Sequence, residues 1–332
     1  MSTDHLLLIT AEEVAALLRG AEGDVVATVV RAYQCHARGE TIVPHSTFLR
    51  FPGGRDRMIA LPAALGKGFD VAGVKWIASF PGNVARGLER ASGLVVLSSM
   101  ATGRPTAVIE GARVSAMRTA ASAAVAACTL HGSTPAVIGL IGCGVVNRET
   151  LRFLRHVWPG IARVVLYDVD VARSARFAER VRDGASMEVE VAADVRALCA
   201  EADLVSFATT AMAPWLHGPI DGRVRTILHL SLRDLDPGLV LASANVVDDA
   251  DHVCRAETSV HLAEQLVGHR RFVTAELPAL LAAGVVPRSY GRCTIFSPFG
   301  LGILDIAVAK LVEERAEARG VGTRFQFSTT TA

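Results

Sequence analysis

Between residues 119 and 147 the chain carries no Asp, Glu, Lys or Arg. An uncharged run of that length has to be buried, either in lipid or inside a protein core. Its punctuation excludes lipid. His131-Gly132-Ser133-Thr134-Pro135 interrupts it, Gly142 and Gly144 break its end, and its first half is rich in Ala and Ser rather than Leu. The run therefore predicts a helix over 114–130, a turn, and a buried strand over 136–141. A strand without charge on either face belongs in a parallel sheet covered on both sides. The sequence beyond keeps the matching rhythm. Strands are predicted at 163–167, 188–191, 204–208, 226–230, 245–247 and 294–297, with helices at about 147–157, 172–183 and 195–201. Strands alternating with helices imply an α/β fold with a doubly wound parallel sheet of the Rossmann type.

Upstream the character differs. Residues 11–18 predict a helix capped by Thr10, with Glu12 and Glu13 in its first turn, and a second helix covers 24–38. From 43 to 97, strands at 46–51, 57–61, 71–77 and 94–98 are punctuated by Pro and Gly. The Thr102-Gly103-Arg104-Pro105 turn links two such runs, as in an antiparallel sheet. A last helix over 301–319 is strongly charged in its C-terminal half, and a short polar tail follows. At 332 residues the chain has room for about two domains. Its 34 Lys and Arg against 33 Asp and Glu leave no basic excess, which excludes an electrostatic nucleic-acid binder. The six cysteines form no CxxC pair and no Cys/His metal spacing. They predict reduced thiols, a cytosolic setting and no metal site. Residues 1–13 lack a basic n-region, so no targeting segment is expected there.

The first chemical signal is Gly142-x-Gly144-x-x-Asn147, directly after a predicted strand and opening a helix. Two glycines allow a tight turn and a close approach of backbone to pyrophosphate, which then sits on the helix N-terminus. The usual third glycine is missing. Asp168 ends the next strand, 24 residues after Gly144, where a carboxylate can bind both ribose hydroxyls. An acid there repels a 2′-phosphate and favours NAD over NADP, although Arg173, five residues on, keeps NADP open. The bland alternative is an ordinary strand–turn–helix with a solvated Asp.

The second signal is a set of lone cations. Lys75 lies inside a strand between Val74 and Trp76, Arg50 sits in Thr47-Phe48-Leu49-Arg50-Phe51, and Arg118 is in an otherwise uncharged helix. A buried cation is costly unless it is paired or binds an anion. Taken singly, each reads as a snorkelling side chain or the partner of a distant carboxylate. Together they predict an anionic ligand. Asp234 follows the strand at 226–230, and ligands bind off the carboxyl ends of such strands. Asp236 and Asp221 compete with it as loop residues, and spacing does not choose among the three.

Read in order, the segments Lys75-Trp-Ile-Ala-Ser-Phe-Pro-Gly-Asn83, Arg118-Thr-Ala-Ala-Ser122, Ile141-Gly-Cys-Gly144, Asp168, Asp234 and Phe296-Ser-Pro-Phe-Gly-Leu-Gly-Ile-Leu-Asp305 resemble the ornithine cyclodeaminase/mu-crystallin family. The likeness spans nearly the whole chain. Pro44-His-Ser-Thr-Phe-Leu-Arg-Phe51, Arg57-Met-Ile-Ala-Leu-Pro62 and Leu230-Ser-Leu-Arg-Asp-Leu235 resemble one branch, the N-(2-amino-2-carboxyethyl)-L-glutamate dehydrogenases. These make 2,3-diaminopropionate for siderophores and nonribosomal peptides.

The resemblance implies two interleaved domains. Residues 1–117 with 302–332 would form an α+β domain that binds substrate and dimerises, and 118–301 would bind NAD. It implies that Arg50, Lys75, Arg118 and Arg90 hold substrate carboxylates. Asp234 would be the acid/base, with Lys75 beside it in the catalytic set. Gly142, Gly144, Val145, Val146, Asn147 and Asp168 would bind the dinucleotide, lined by Thr119, Thr209, Ser231, Leu232 and Ser297. The implied reaction is oxidative hydrolysis of the glutamate conjugate to 2,3-diaminopropionate and 2-oxoglutarate. Two alternatives stay open: a cyclodeaminase or related amino-acid or imine dehydrogenase, and a non-catalytic binder of the mu-crystallin kind. The ornithine-specific enzymes are glycine-rich where this chain has Ser231-Leu232-Arg233, and Arg90 falls where they tend to be neutral, which points away from a cationic substrate.

Overall fold

A computed structural model describes residues 5–53, 56–183, 187–220, 222–285 and 291–326. The chain divides into two units, Met1–Arg118 with Leu301–Ala332, and Thr119–Gly300. The first begins with β1 (His5–Ile9), α1 (Ala11–Leu17), α2 (Glu22–Ala37), β2 (Thr41–Ile42), β3 (Thr47–Arg50), β4 (Arg57–Leu65), β5 (Val71–Ser79), β6 (Ala91–Ser99) and β7 (Pro105–Glu110). The boundary falls inside α3 (Gly111–Leu130). The second unit holds β8 (Ile138–Ile141), α4 (Val145–Val157), β9 (Arg163–Tyr167), α5 (Val171–Arg182), β10 (Glu188–Val191), α6 (Val195–Glu201) and β11 (Leu204–Phe207). It continues through β12 (Thr226–His229), α7 (Pro237–Ala242), β13 (Ala244–Val247), α8 (Ala250–Val253), α9 (Ser259–Val267), β14 (Val273–Glu276), α10 (Leu277–Ala283) and β15 (Thr294–Ser297). The chain then returns to the first unit as α11 (Gly302–Arg319) and β16 (Thr323–Gln326).

In the first unit the sheet order is β16-β1-β7-β6-β5-β4-β2, with β3 also on β4. All its pairings are antiparallel except β1 with β7. Thr10 starts α1 with a reciprocal cap: Glu13 N–H donates to its hydroxyl, and its own N–H donates to the Glu13 carboxylate at 2.8 Å. The apolar half of α11 lies on the sheet, and glycine makes the approach possible. A Cβ at Gly73 of β5 would stand 2.8 Å from Ile306 Cδ1 and 2.3 Å from the Val96 carbonyl oxygen. The tail read as polar is in fact β16, an edge strand that pairs with β1 while all four of its residues are exposed.

The second unit is one fully parallel sheet in the order β10-β9-β8-β11-β12-β15-β13-β14. β8, β11, β12, β13 and β15 are buried at every position, as a sheet packed on both faces requires. Strand order reverses between β8 and β11, and ligands of such sheets bind at the carboxyl ends beside that point. The uncharged run resolves into the end of α3, a turn and β8. Among the described residues no helix is long and apolar enough to cross a membrane.

Candidate active site

Four strand ends of the second unit line up: those of β9, β8, β11 and β12. Gly142, just past β8, has φ of +91°, and a Cβ there would meet the Ala208 carbonyl oxygen at 2.5 Å, so both conformation and space demand glycine. Asp168, just past β9, accepts from the Cys143 N–H at 2.8 Å and from the Asp170 N–H at 2.9 Å, which fixes its carboxylate beside the turn. Arg173 is drawn onto Asp168 at 3.7 Å and Asp170 at 3.5 Å. The first turn of α4 has no side-chain cap among the described residues. A tight glycine turn, an uncapped helix N-terminus and a carboxylate at the neighbouring strand end fit a dinucleotide.

Asn147 stands where the third glycine of that fingerprint would be, and it is fully buried. Its amide donates to the Ile141 and Gly142 carbonyls at 2.9 and 2.8 Å, and its oxygen accepts from the Ser206 hydroxyl at 2.7 Å. It therefore braces the turn instead of reaching a cofactor. Val145 is exposed at the helix start and Val146 is half-buried behind it.

Asp234, after β12, has a fully buried side chain surrounded by donors. Its Oδ1 accepts from Trp215 Nε1 at 2.9 Å and from the Thr209 hydroxyl; its Oδ2 accepts from the Ser231 hydroxyl. His229 Nε2 lies 3.3 Å from Oδ2 and 3.2 Å from the Asp234 main-chain nitrogen. With the ring neutral, Nε2 accepts the main-chain N–H; once protonated it pairs with the carboxylate. His229 Nδ1 meets the Ser297 hydroxyl at 3.2 Å. Burial pushes the Asp234 carboxyl up, but His229, Ser231 and Thr209 outweigh it, so the group stays below its ordinary value. Thr209, Ser231 and Ser297, expected to line the dinucleotide, thus spend their hydroxyls on Asp234 and His229.

Asp236 caps α7 by accepting the Leu239 N–H at 3.1 Å, and Asp221 lies outside the described residues. Leu232 has φ of +68°, a left-handed conformation that costs a non-glycine residue roughly 1–2 kcal/mol. It is held there between Ser231 and Asp234.

In the first unit the lone cations are resolved differently from the sequence expectation. Asp305 of α11 is fully buried and takes both: Lys75 Nζ at 2.7 Å on Oδ2 and Arg118 Nε at 3.0 Å on Oδ1. Ser115 stands 3.1 Å from Lys75 Nζ. Two cations on one carboxylate leave a single net positive charge. Burial pushes the Lys75 ammonium down to about 8, against the pull of Asp305 and with Arg118 adding to the push. Thr119 follows Arg118 on α3 and is half-buried.

Arg50 and Arg90 belong to a second group. Arg50 is exposed, its guanidinium 5.3 Å from the Phe48 ring centroid. It sits opposite Arg57 in the β3–β4 register, and Arg57 sits opposite Ser79 of β5. Arg90 donates to the Ser79 hydroxyl at 3.2 Å. Sequence reasoning missed Asp305, His229, Trp215 and the proximity of Arg57 to this group.

Comparison with known proteins shows the family and the fold. The profile of the ornithine cyclodeaminase/mu-crystallin family matches residues 5–320. The N-((2S)-2-amino-2-carboxyethyl)-L-glutamate dehydrogenase of Staphylococcus aureus is 27% identical over 309 residues, 90% of this chain and 91% of that one. The structure of Thermococcus litoralis Δ1-pyrroline-2-carboxylate reductase with NADH and L-proline superposes with a TM-score of 0.88 at 27% identity, covering 96% of this chain and 99% of that one. An archaeal alanine dehydrogenase dimer with bound NAD gives a TM-score of 0.86 at 27% identity over 98% and 100% of the two chains. The chain belongs to the ornithine cyclodeaminase/mu-crystallin family.

Proposed function

We propose that the protein is an NAD-dependent dehydrogenase that oxidises the secondary amine of N-(2-amino-2-carboxyethyl)-L-glutamate and hydrolyses the resulting imine. The products are L-2,3-diaminopropionate and 2-oxoglutarate, of use in siderophore or nonribosomal peptide synthesis. The observation that carries this reading is the cation excess of the first unit. Lys75 and Arg118 share one carboxylate, and Arg50 and Arg90 have no carboxylate partner among the described residues. A substrate with three carboxylates answers that excess; alanine, proline and ornithine have one each.

When bound, NAD⁺ supplies the acceptor for the hydride leaving the glutamate Cα. Gly142, Gly144 and the start of α4 would hold its pyrophosphate, and Asp168 its ribose hydroxyls. Lys75 and Arg118 keep one positive charge, which suits a substrate carboxylate. Asp234, ionised, takes the proton of the attacking water, with His229 Nε2 beside it to share that proton. Substrate, NAD⁺ and one water thus give diaminopropionate, 2-oxoglutarate, NADH and one proton. We also propose a homodimer, the state of the archaeal alanine dehydrogenase relative.

Incubation with the conjugate and NAD⁺ should release NADH and 2-oxoglutarate in equal amounts. Efficient conversion of ornithine to proline without net NADH, and none of the conjugate, would make it a cyclodeaminase instead. Asp168→Ser should lower the NAD⁺/NADP⁺ ratio of kcat/KM at least about tenfold, because it frees Arg173 for a 2′-phosphate. An unchanged ratio would detach Asp168 from the ribose.

A further inference from the structure

The second cationic group has no counterpart in the mechanism above except as a source of charge, and its local chemistry is unusual. Arg57 Nε and Arg90 Nε are both buried and neither has a hydrogen-bond partner among the described residues. Ser79 is the one group that either guanidinium meets there, and a neutral hydroxyl cannot offset a buried cation. The charged neighbours that Arg57 and Arg90 do feel are arginines: Arg50 acts on Arg57, and Arg57 acts on Arg90. Burial and this like-charge repulsion both hold their guanidinium groups below the ordinary range.

Elsewhere, half-buried Arg163 and exposed Arg38 are both paired with acids. Arg163 lies within 3.3 Å of Glu188 and on Glu190 and Glu201, and Arg38 lies 3.0 Å from Glu40. The two buried cations of the same unit, Lys75 on β5 and Arg118 on α3, have Asp305. Three arginines together with no acid paired to them among the described residues are therefore a site prepared for an anion from outside, and the planar guanidinium fork suits a carboxylate.

The register separates this site from the first. Arg57 faces Ser79 and Leu61 faces Lys75 across β4–β5, so all four side chains share one face of the sheet. Lys75 and Ser79 are four residues apart, roughly 13 Å along the strand. One carboxylate cannot serve both positions, but two long cationic side chains can close that gap onto a substrate the length of a glutamate skeleton.

We propose that Arg57 and Arg90, with Ser79 between them and Arg50 at the rim, form a second carboxylate subsite that selects substrates bearing a carboxylate remote from the reacting carbon. Arg57 is the new specificity residue in this assignment. The identity of the ligand as a reacting amino acid rests on the dehydrogenase reading; the existence of the subsite does not.

The test uses the full-length enzyme with NAD⁺, titrated calorimetrically with glutarate and with valerate, which has the same chain and one carboxylate fewer. Wild type should bind glutarate at least about tenfold more tightly than valerate. Arg57→Met and Arg90→Met should each weaken glutarate binding by about 10- to 100-fold and leave valerate unchanged. The unliganded variants should melt at or above the wild-type temperature, since each loses a repelled buried charge; a merely structural arginine would lower it. Arg57→Lys, which keeps the charge but not the fork, should fall between. Glutarate binding that survives both Met variants at wild-type strength would overturn the subsite. If the conjugate turns over with its KM unaltered in both variants, the subsite falls while the dehydrogenase reading stands. If the conjugate is inert but glutarate binding still depends on Arg57, the dehydrogenase reading falls and the subsite stands.

Discussion

Asp305→Ala should destabilise the protein by about 3–5 kcal/mol, the cost expected when one partner of a buried ion pair is removed and the charge opposite is left behind. Here two charges are left. Lys75 and Arg118 both end on Asp305, whose side chain is 0% exposed, and without it they face each other with Ser115 as the nearest polar support. Urea denaturation followed by circular dichroism measures the effect. A double-mutant cycle sharpens it: Asp305→Ala with Lys75→Met should recover a large part of the loss, because the second change removes one stranded cation. The pH dependence carries a sign as well. The Lys75 ammonium titrates near 8 in the folded chain and at its ordinary 10.5 when unfolded, so between those values the unfolded state binds more protons. Stability therefore rises with pH across that window. Asp305 is what pulls the folded value upward, so in Asp305→Ala the window widens toward neutral pH and the rise becomes steeper there. A variant as stable as wild type in urea would mean that α11 is held by its apolar face alone.

The same residues show what the sequence makes legible. A lone charge in an apolar run marks Lys75 and Arg118, and the same mark stands on Asp305, the one charged residue between 293 and 309. The oddity of each is local, but their pairing is not: 230 and 187 residues of chain separate the partners, and periodicity carries no information over that distance. The parallel sheet was readable because β8, β11, β12, β13 and β15 are buried at every position and carry no Asp, Glu, Lys or Arg. β16 was not, since its definition is a row of hydrogen bonds to β1 and its side chains are all exposed. His229 ends a fully buried strand and looks in sequence like any core histidine; only the fold brings its ring onto Asp234. Arg57 reads as solvated beside Arg55 and Asp56, and its burial appears only when β3, β4 and β5 pair.

Asp234→Asn should lower kcat by about 10²–10⁴, the usual contribution of a positioned acid/base, and leave NAD⁺ affinity within about twofold. The hydrogen bonds explain why this substitution isolates the chemistry. Trp215 Nε1 only donates, so the retained amide oxygen must face it and Thr209. The new NH₂ then faces Ser231 and His229, and the Ser231 hydroxyl oxygen can accept from it. Asparagine keeps the bonds and loses the ability to take a proton. Asp234→Ala would instead strand the indole N–H and confound chemistry with folding. NADH formation with the conjugate measures turnover, and calorimetric titration measures cofactor binding. His229 and the surrounding hydroxyls hold the Asp234 carboxyl below its ordinary 3.8, so it stays ionised throughout the assay range. The loss in Asp234→Asn should therefore be the same at every pH of that range. Turnover by Asp234→Asn within tenfold of wild type would take the carboxylate out of the proton transfers and leave it the task of holding Thr209, Trp215 and Ser231 in place.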